Sequence, residues 1–259
     1  MDRAKAEAIS HWAARPCGAE VGRDLREGSP AFFESVDRGR YVEYAPWLPR
    51  VVRFDRFAGS RVLEVGCGMG TDLFQFAKAG ADVTGIDLVP RHLAIARSRF
   101  QLAAQPARFV LADAEDLPFE RGSFDVAYSF GVLHHTPNIR RAVAEIHRVL
   151  RPGGRAIVAV YNLLSFNFVA TLVATAQEGR LFRQSFARTL SRIEGATAAT
   201  PLVQLHTWWQ LRGLLGEFRE AQLVSRHVDG PLAAKMIPPG MRPFVDRHFG
   251  WYLVAEAVK

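Results

Sequence analysis

The stretch 62–72, VLEVGCGMGTD, constrains the fold more than any other part of the chain. It begins with apolar residues around one carboxylate, Glu64, and continues with glycines at alternate positions. An amphipathic segment, 71–79, follows at once, so the pattern predicts a strand, a tight turn and a helix. Glycine permits a positive φ or the close approach of a ligand, and a helix start offers unpaired N–H groups. We therefore expect a nucleotide-like ligand at this turn.

The spacing of the glycines distinguishes between kinds of nucleotide. A dinucleotide fingerprint, G-x-G-x-x-G, requires a third glycine at position 71. This chain has Thr71 there, and its glycines fall as G-x-G-x-G. Glu64, just before the turn, would repel a pyrophosphate and attract a cationic ligand. The spacing therefore disfavours the alternative of a nicotinamide-dependent oxidoreductase.

The same stretch resembles motif I of the class I S-adenosylmethionine-dependent methyltransferases, whose cofactor carries a sulfonium and an ammonium but no phosphate. Asp87, Asp113 and the run Leu-His-His-Thr-Pro at 133–137 follow in the order and at workable spacings for this family. The likeness covers residues 58–161, with looser support over 205–259, and is to small-molecule enzymes of the ubiquinone/menaquinone-methyltransferase type. It implies methyl transfer to a carbon, nitrogen or oxygen atom of a small molecule.

The resemblance implies an α/β fold with a Rossmann-like, doubly wound seven-stranded sheet whose last strand is antiparallel. We expect four parts: an N-terminal helical lid over 1–57, a cofactor-binding core over 58–161, a helical insertion over 162–204, and the rest of the sheet over 205–259. Hydrophobic patterning places strands at 61–65, 82–86, 108–111, within 123–135, after Gly154, at 222–228 and at 251–258.

The resemblance also implies which residues hold the cofactor, S-adenosyl-L-methionine, and its product, S-adenosyl-L-homocysteine. Asp87 would accept both ribose hydroxyls. Asp113 would accept the adenine amino group, and the backbone N–H of Ala114 would donate to a ring nitrogen, which distinguishes adenine from other bases. Further cofactor contacts are implied for Glu64, Gly66, Cys67, Gly68, Gly70, Leu88 and Phe130.

The residues after the fourth strand lie near the transferable methyl group in this family. His134 or His135 is our candidate general base for an acceptor hydroxyl or amine. The alternative is a histidine that only hydrogen-bonds the loop or caps the next helix, for which Thr136 is the expected N-cap. Segment 1–57 mixes aromatic residues with arginines, as a substrate lid would, or is a helical pair packed on the sheet. The candidate acceptor contacts are Arg40, Tyr41, His134 and Tyr161.

The net charge of the chain is compatible with several classes of partner. Lys and Arg number 33 against 26 acidic residues, a formal net charge of +7, which suits an acidic substrate, nucleic acid or a membrane surface. The arginines are scattered and no RNA-binding module is visible, so we expect a small-molecule acceptor. An RNA methyltransferase, or a protein that binds the cofactor without transferring methyl groups, is the alternative. The basic amphipathic stretch 180–193 is compatible with a cap over the pocket, a dimer contact or a membrane contact. The oligomeric state is expected to be a monomer or a homodimer.

Two cysteines, Cys17 and Cys67, exclude a disulfide scaffold and a four-thiolate metal site, and we expect no metal. We expect Cys17 to be a buried thiol, the alternative being a contact with the substrate. The N-terminal stretch lacks the apolar core of a signal peptide, which predicts a cytoplasmic protein. The uncharged stretch 156–177 reaches the length of a membrane span. It starts like a strand and contains polar Asn162 and Asn167, so we expect a strand followed by an apolar helix.

Overall fold

The computed structural model describes residues 3–14, 16–179, 202–228, 233 and 236–259. The basic stretch 180–193, expected to be a cap or contact segment, lies outside the described residues. The helices are α1 Arg3–Ala14, α2 Pro30–Arg38, α3 Leu48–Val52, α4 Thr71–Lys78, α5 Pro90–Leu102, α6 Ile139–Val149, α7 Phe166–Gln177, α8 Trp208–Leu214 and α9 Arg242–Phe249. The strands are β1 Arg61–Val65, β2 Asp82–Asp87, β3 Arg108–Leu111, β4 Phe124–Phe130, β5 Leu150–Tyr161, β6 Glu220–Arg226 and β7 Tyr252–Val258.

The strands form one seven-stranded sheet in the order β3-β2-β1-β4-β5-β7-β6. Strands β1 to β5 pair in parallel, and β7 runs antiparallel to both β5 and β6. The expected seven-stranded sheet with an antiparallel last strand is confirmed. The strand order reverses between β1 and β4, and in open α/β sheets ligands bind beyond the carboxyl ends of the strands at such a point.

The core lies on both faces of the sheet because side chains alternate along each strand. Val62 of β1 packs with α4, α5 and the N-terminal segment, whereas its neighbour Leu63 packs with α6 and α8. In β5, Ile157 belongs to the first face and Val158 to the second. Two helical layers therefore enclose the sheet, and the apolar runs of its central strands follow from burial on both faces.

The start of α6 differs from the expectation. Its N-cap is Asn138, whose Oδ1 accepts the Arg141 N–H at 3.0 Å, and not Thr136. The Thr136 hydroxyl instead donates to the Glu115 carboxylate, which also accepts the backbone N–H of Asn138 at 2.7 Å. Thr136 thus fixes the loop after β4 to the segment after β3, a contact that the capping pattern did not reveal.

The apolar stretch 156–177 divides as expected between a strand and a helix. Strand β5 ends at Tyr161 and α7 begins at Phe166, with Ser165 as its N-cap accepting the Phe168 N–H. Among the residues that the structure describes, no helix combines the length and the apolar character that a membrane crossing needs.

Candidate functional site

The turn between β1 and α4 is built from glycines in the left-handed region. Gly66, Gly68 and Gly70 have φ values of 75°, 51° and 73°. A Cβ on Gly66 would lie 2.4 Å from Cγ2 of Val132, so packing alone requires a glycine there. A Cβ on Gly68 would meet nothing within 4 Å. Gly68 therefore presents bare backbone to open space, as a ligand cradle does.

That open space belongs to a cavity of about 670 Å³ above the carboxyl ends of the parallel strands. Its walls come from the glycine turn, from the ends of β2, β3 and β4, and from the N-terminal segment. It brings together nine of the ten predicted cofactor residues, namely Glu64, Gly66, Cys67, Gly68, Asp87, Leu88, Asp113, Ala114 and Phe130. Gly70 is not on the wall, because it packs against α5, where its Cβ would lie 3.2 Å from that of Ala96.

Asp87 at the end of β2 is fixed by donors on both oxygens. Its Oδ2 accepts the Gly68 N–H at 2.8 Å, and its Oδ1 accepts the Val89 N–H at 2.8 Å. Nδ1 of the buried His92 lies 3.2 Å from the same Oδ1, and His92 Nε2 lies 3.0 Å from the Trp12 carbonyl oxygen. His92, which sequence reasoning missed, thus connects Asp87 to helix α1.

Asp113 after β3 is fixed in a similar way. Its Oδ1 accepts the Glu115 N–H at 2.9 Å, and Lys5 donates to its Oδ2 at 2.6 Å. Lys5 also donates to Glu115 at 2.7 Å. Sequence reasoning missed Lys5, because a lone lysine in an N-terminal helix carries no local signal for a partner 108 residues away.

Glu64 is a buried carboxyl group on the cavity wall, only 4% exposed. The Leu73 N–H donates to it, but its Oε2 has no hydrogen-bond partner among the described residues. Burial, followed by the nearby Asp72 carboxylate, raises the pKa of Glu64 well above its usual value. A buried carboxyl with an unused oxygen is costly by itself, and a cationic ligand in the cavity would satisfy it.

Asp72, in the first turn of α4, organises a buried polar cluster. Arg40 donates to both of its oxygens, from Nη2 at 2.6 Å and from Nε at 3.2 Å. The hydroxyls of Tyr41 and Tyr128 each donate to it at 2.7 Å. Arg40 lines the cavity, whereas the Tyr41 hydroxyl is committed to Asp72 and the Thr71 carbonyl oxygen. The expected acceptor contact of Tyr41 is therefore corrected: its side chain supports Arg40 from behind the wall.

The two adjacent histidines take different positions in the 3₁₀ turn after β4. His134 is fully buried, and its ring lies 3.8 Å from that of Tyr161. Burial, followed by the neighbouring His135, holds the pKa of His134 well below its usual value. Its ring nitrogens have no hydrogen-bond partner among the described residues. His134 does not line the cavity, which corrects the expectation that it contacts the acceptor or accepts its proton.

His135 does line the cavity. Its Nδ1 lies 2.7 Å from the Leu202 carbonyl oxygen, so the tautomer that makes this bond carries its proton on Nδ1. The indole ring of Trp12 in α1 packs edge-on against His135, with ring centroids 5.3 Å apart. Of the histidine pair, only His135 contributes to the cavity wall.

The end of the cavity beyond the glycine turn is aromatic. Tyr161, a predicted acceptor contact, lines it, and its ring lies 4.3 Å from that of Trp251. Phe130 packs on Tyr252 at 4.5 Å in the same wall. Cys17, expected to be buried, is an exposed thiol on the cavity wall, because the N-terminal segment curves over this end. These residues form a largely apolar chamber beside the cradle.

Parts of this chain are similar to known proteins. Residues 63–158 match the family described as methyltransferase domain. A sterol 4-C-methyltransferase, strm-1, of Caenorhabditis elegans is 37% identical over 107 residues, 40% of this chain and 31% of that protein. A ubiquinone biosynthesis O-methyltransferase of Aromatoleum aromaticum is 37% identical over 45% of this chain and 49% of that protein. The chain spans about half or less of the length of such curated relatives.

Solved structures support the fold over a greater length. A putative methyltransferase of Haloferax volcanii, solved in complex with the Trm112 methyltransferase activator, has a TM-score of 0.59 at 19% identity and covers 100% of this chain and 98% of that one. A methyltransferase of Thermotoga maritima has a TM-score of 0.52 at 22% identity, covering 86% of this chain and 98% of that one. The chain thus matches a methyltransferase domain over residues 63–158, and its glycine turn and sheet order are those that the resemblance to the class I S-adenosylmethionine-dependent methyltransferases implies.

Proposed function

We propose that this protein transfers a methyl group from S-adenosylmethionine to a carbon, nitrogen or oxygen atom of a small molecule. The observation that carries the proposal is Glu64, a buried carboxyl group with an unused oxygen on the wall of a cavity that the glycine turn lines. A cationic nucleoside matches this combination, because its ammonium group can take the carboxylate and its uncharged ribose can lie against bare backbone.

The residues of the cavity fit the adenosyl part of that cofactor. The Asp87 carboxylate, held by the Gly68 and Val89 N–H groups, keeps lone pairs for ribose hydroxyls. Directly after β3, the Asp113 carboxylate would accept the adenine amino group and the Ala114 N–H would donate to a ring nitrogen. Leu88 would supply an apolar wall. When bound, S-adenosylmethionine supplies an electrophilic methyl group on its sulfonium.

The protein then contributes position, a dry site and, where the acceptor needs it, a proton acceptor. Phe130 and Tyr161 would hold the acceptor in the aromatic chamber, and the lid segment 1–57 would exclude water through Trp12. His135 Nε2 would accept a proton from an acceptor hydroxyl or amine. A carbon acceptor that is already nucleophilic would not need this step.

The comparisons support a small-molecule acceptor. Two relatives are named as methyltransferases of sterols and of ubiquinone biosynthesis, and an O-methyltransferase, cnsE, of Penicillium expansum is 41% identical over 42% of this chain and 40% of that protein. The aromatic chamber suits an apolar acceptor of this general kind. We propose an apolar or aromatic small molecule as the acceptor class.

Calorimetry with S-adenosylhomocysteine tests the cofactor site. We expect Asp87→Ala to weaken binding by on the order of 1–3 kcal/mol, because charge-assisted hydrogen bonds are lost. Asp82→Ala is the matched control, because Asp82 lies exposed at the opposite end of the same strand. Equal affinity of Asp87→Ala and wild type would remove Asp87 from the site, and no binding by wild type would overturn the cofactor assignment.

Transfer of a labelled methyl group from S-adenosylmethionine, with extracted metabolites and with RNA as separate acceptors, tests the reaction. We expect label in small molecules. Label only in RNA would favour the RNA methyltransferase, and cofactor binding without label in any fraction would favour a binding protein.

A further inference from the structure

His92 lies between two hydrogen-bond acceptors that belong to different parts of the fold. Its Nδ1 is 3.2 Å from Oδ1 of Asp87, at the end of β2, and its Nε2 is 3.0 Å from the Trp12 carbonyl oxygen in the last turn of α1. The ring is only 6% exposed. Because the last carbonyl groups of a helix have no partner within the helix, His92 supplies a donor that the end of α1 needs.

The two acceptors determine the protonation of the His92 ring. A neutral imidazole has one N–H group and one lone pair, so either neutral tautomer would turn a lone pair towards an acceptor. The two oxygens of Asp87 accept the N–H groups of Gly68 and Val89, which favours the ionised carboxylate. The proton between the two side chains therefore belongs to Nδ1, and only an imidazolium donates on both sides.

The charges around His92 act in opposite directions. The ring lies in the first turn of α5 next to Arg91, and a helix start and a second cation both disfavour a positive charge. Arg91 itself is directed to the Ala13 carbonyl oxygen at 2.9 Å and to the Glu27 carboxylate at 2.6 Å. The Asp87 carboxylate and the carbonyl end of α1 favour the charge. These two groups are in hydrogen-bond contact with the ring, and charge-assisted hydrogen bonds outweigh the effect of a helix end.

The bridge through His92 joins two walls of the cavity, which Asp87, Trp12 and His92 all line. His92 holds Oδ1 of Asp87 while the Gly68 N–H holds Oδ2, so the carboxylate is fixed with Oδ2 towards the glycine cradle. On the other side, the Trp12 indole packs against His135 with ring centroids 5.3 Å apart. One buried ring thus fixes both the carboxylate proposed for ribose and the helix that covers the cavity.

We propose that His92 is a positioning residue of the cofactor site, which acts as an imidazolium bridge between Asp87 and the carbonyl end of α1. The inference rests on the proposed function. The charged bridge holds the Asp87 carboxylate in the orientation that ribose hydroxyls need, and it holds α1 closed over the cavity. Ribose recognition and closure of the N-terminal segment are thereby coupled through one side chain.

Nitrogen NMR of the ligand-free wild-type protein, labelled at its histidines, tests the protonation. Through-bond correlation to the His92 backbone identifies the ring signals, so this measurement does not depend on the folding of any variant. We expect both ring nitrogens to show the chemical shifts of protonated nitrogen at neutral pH, which neither neutral tautomer gives. One unprotonated ring nitrogen would overturn the proposal.

Two ligands that differ only in the ribose hydroxyls test the link to Asp87. Dissociation constants of 5′-methylthioadenosine and its 2′,3′-dideoxy analogue are measured by calorimetry on wild type, His92→Leu and His248→Leu. His248 is the matched control, because it is an exposed histidine of α9 that does not line the cavity. We expect wild type and His248→Leu to prefer the ligand with hydroxyls, and His92→Leu to reduce that preference at least about tenfold, as the loss of a charge-assisted bond predicts. An equal loss of affinity for both ligands in His92→Leu would overturn the proposal, because it would show a merely structural role.

Hydrogen exchange of the α1 amides tests the link to the lid. We expect exchange in ligand-free His92→Leu to be at least about tenfold faster than in wild type and His248→Leu, because opening of α1 then breaks one contact fewer. Wild-type exchange rates in His92→Leu would overturn the coupling. Failure of wild type to bind S-adenosylhomocysteine or 5′-methylthioadenosine would instead overturn the proposed function, whereas the NMR and exchange results concern His92 alone.

Discussion

Lys5 and Asp113 are joined by an ion pair of 2.6 Å that ties the first helix to the carboxyl end of β3. The same ammonium group lies 2.7 Å from Glu115, and the Lys5 side chain is 15% exposed. Helix α1 thereby closes over the end of the cavity proposed for adenine. Through this contact the N-terminal segment becomes part of the site. The contribution of the Lys5 charge can be measured by substituting the residue.

Removing that charge should loosen the lid. We expect Lys5→Met to lower the melting temperature and to weaken S-adenosylhomocysteine binding several-fold, because the buried Glu115 and the half-buried Asp113 lose their partner. Lys5 holds the pKa of Glu115 below its usual value against the opposing effect of burial. The stabilisation is therefore present near neutral pH and is lost as the pH falls through that lowered pKa. Calorimetry and thermal unfolding measure both effects.

Arg3→Met is the control for this variant, because Arg3 forms an exposed pair with Glu7 in the same helix. Equal behaviour of the two variants would show that Lys5 does not hold the lid.

Alanine at two glycines of the turn should separate folding from binding. Gly66→Ala should destabilise the protein by about 2–4 kcal/mol. The cost of a left-handed φ adds to the cost of the steric overlap, because the new Cβ would lie 2.4 Å from Val132. Gly68→Ala should cost only about 1–2 kcal/mol, since only its φ is strained. It should nevertheless weaken S-adenosylhomocysteine binding at least about tenfold, because its methyl group enters the cradle. Chemical denaturation and calorimetry check these values, and wild-type affinity in Gly68→Ala would contradict the cradle.

Glu64 should give cofactor binding a pH dependence. Burial raises the pKa of this carboxyl well above its usual value, so below that raised pKa the ligand-free protein carries a proton on Glu64 that an ammonium ligand must displace. Affinity for S-adenosylhomocysteine should therefore rise with pH up to that raised pKa and then level off. Calorimetry in two buffers of different ionisation enthalpy should detect the released proton. Glu64→Gln should abolish the release, and 5′-methylthioadenosine, which lacks the ammonium, should release none from wild type.

The two histidines after β4 should respond differently to substitution. Because burial lowers the pKa of His134, unfolding takes up a proton below the usual histidine pKa, and stability falls as the pH falls from 7 to 5. His134→Leu should reduce this fall by about 1–2 kcal/mol. His135→Gln should leave stability almost unchanged and lower turnover of a hydroxyl or amine acceptor about 10²-fold or more. Denaturation at several pH values measures the stability effect, and turnover assays measure the catalytic effect. Loss of turnover in His134→Leu alone would show that His134, and not His135, accepts the proton.

The amino-acid sequence alone predicts the sheet and the glycine cradle. Periods of two and 3.6 residues, with glycines at the turns, are local signals, and they place β1 and β3 at the bounds that the structure shows and α4 within one residue of them. The carboxylates at strand ends were equally readable, because parallel strands end at one edge of a sheet. Asp87 and Asp113 accordingly meet at the cavity wall.

The partners of these residues follow from the packing of elements that are distant in the chain. Lys5 and Arg40 reach the site from segments far along the chain, and His92 joins Asp87 to the Trp12 carbonyl oxygen 80 residues away. No local pattern encodes such contacts. The tertiary structure also separated His134 from His135, because consecutive residues of a 3₁₀ turn point in different directions, so one ring packs on Tyr161 and the other faces the cavity. Local propensity fixes the elements, whereas the packing of distant elements fixes which side chains share a charge, a proton or a ligand.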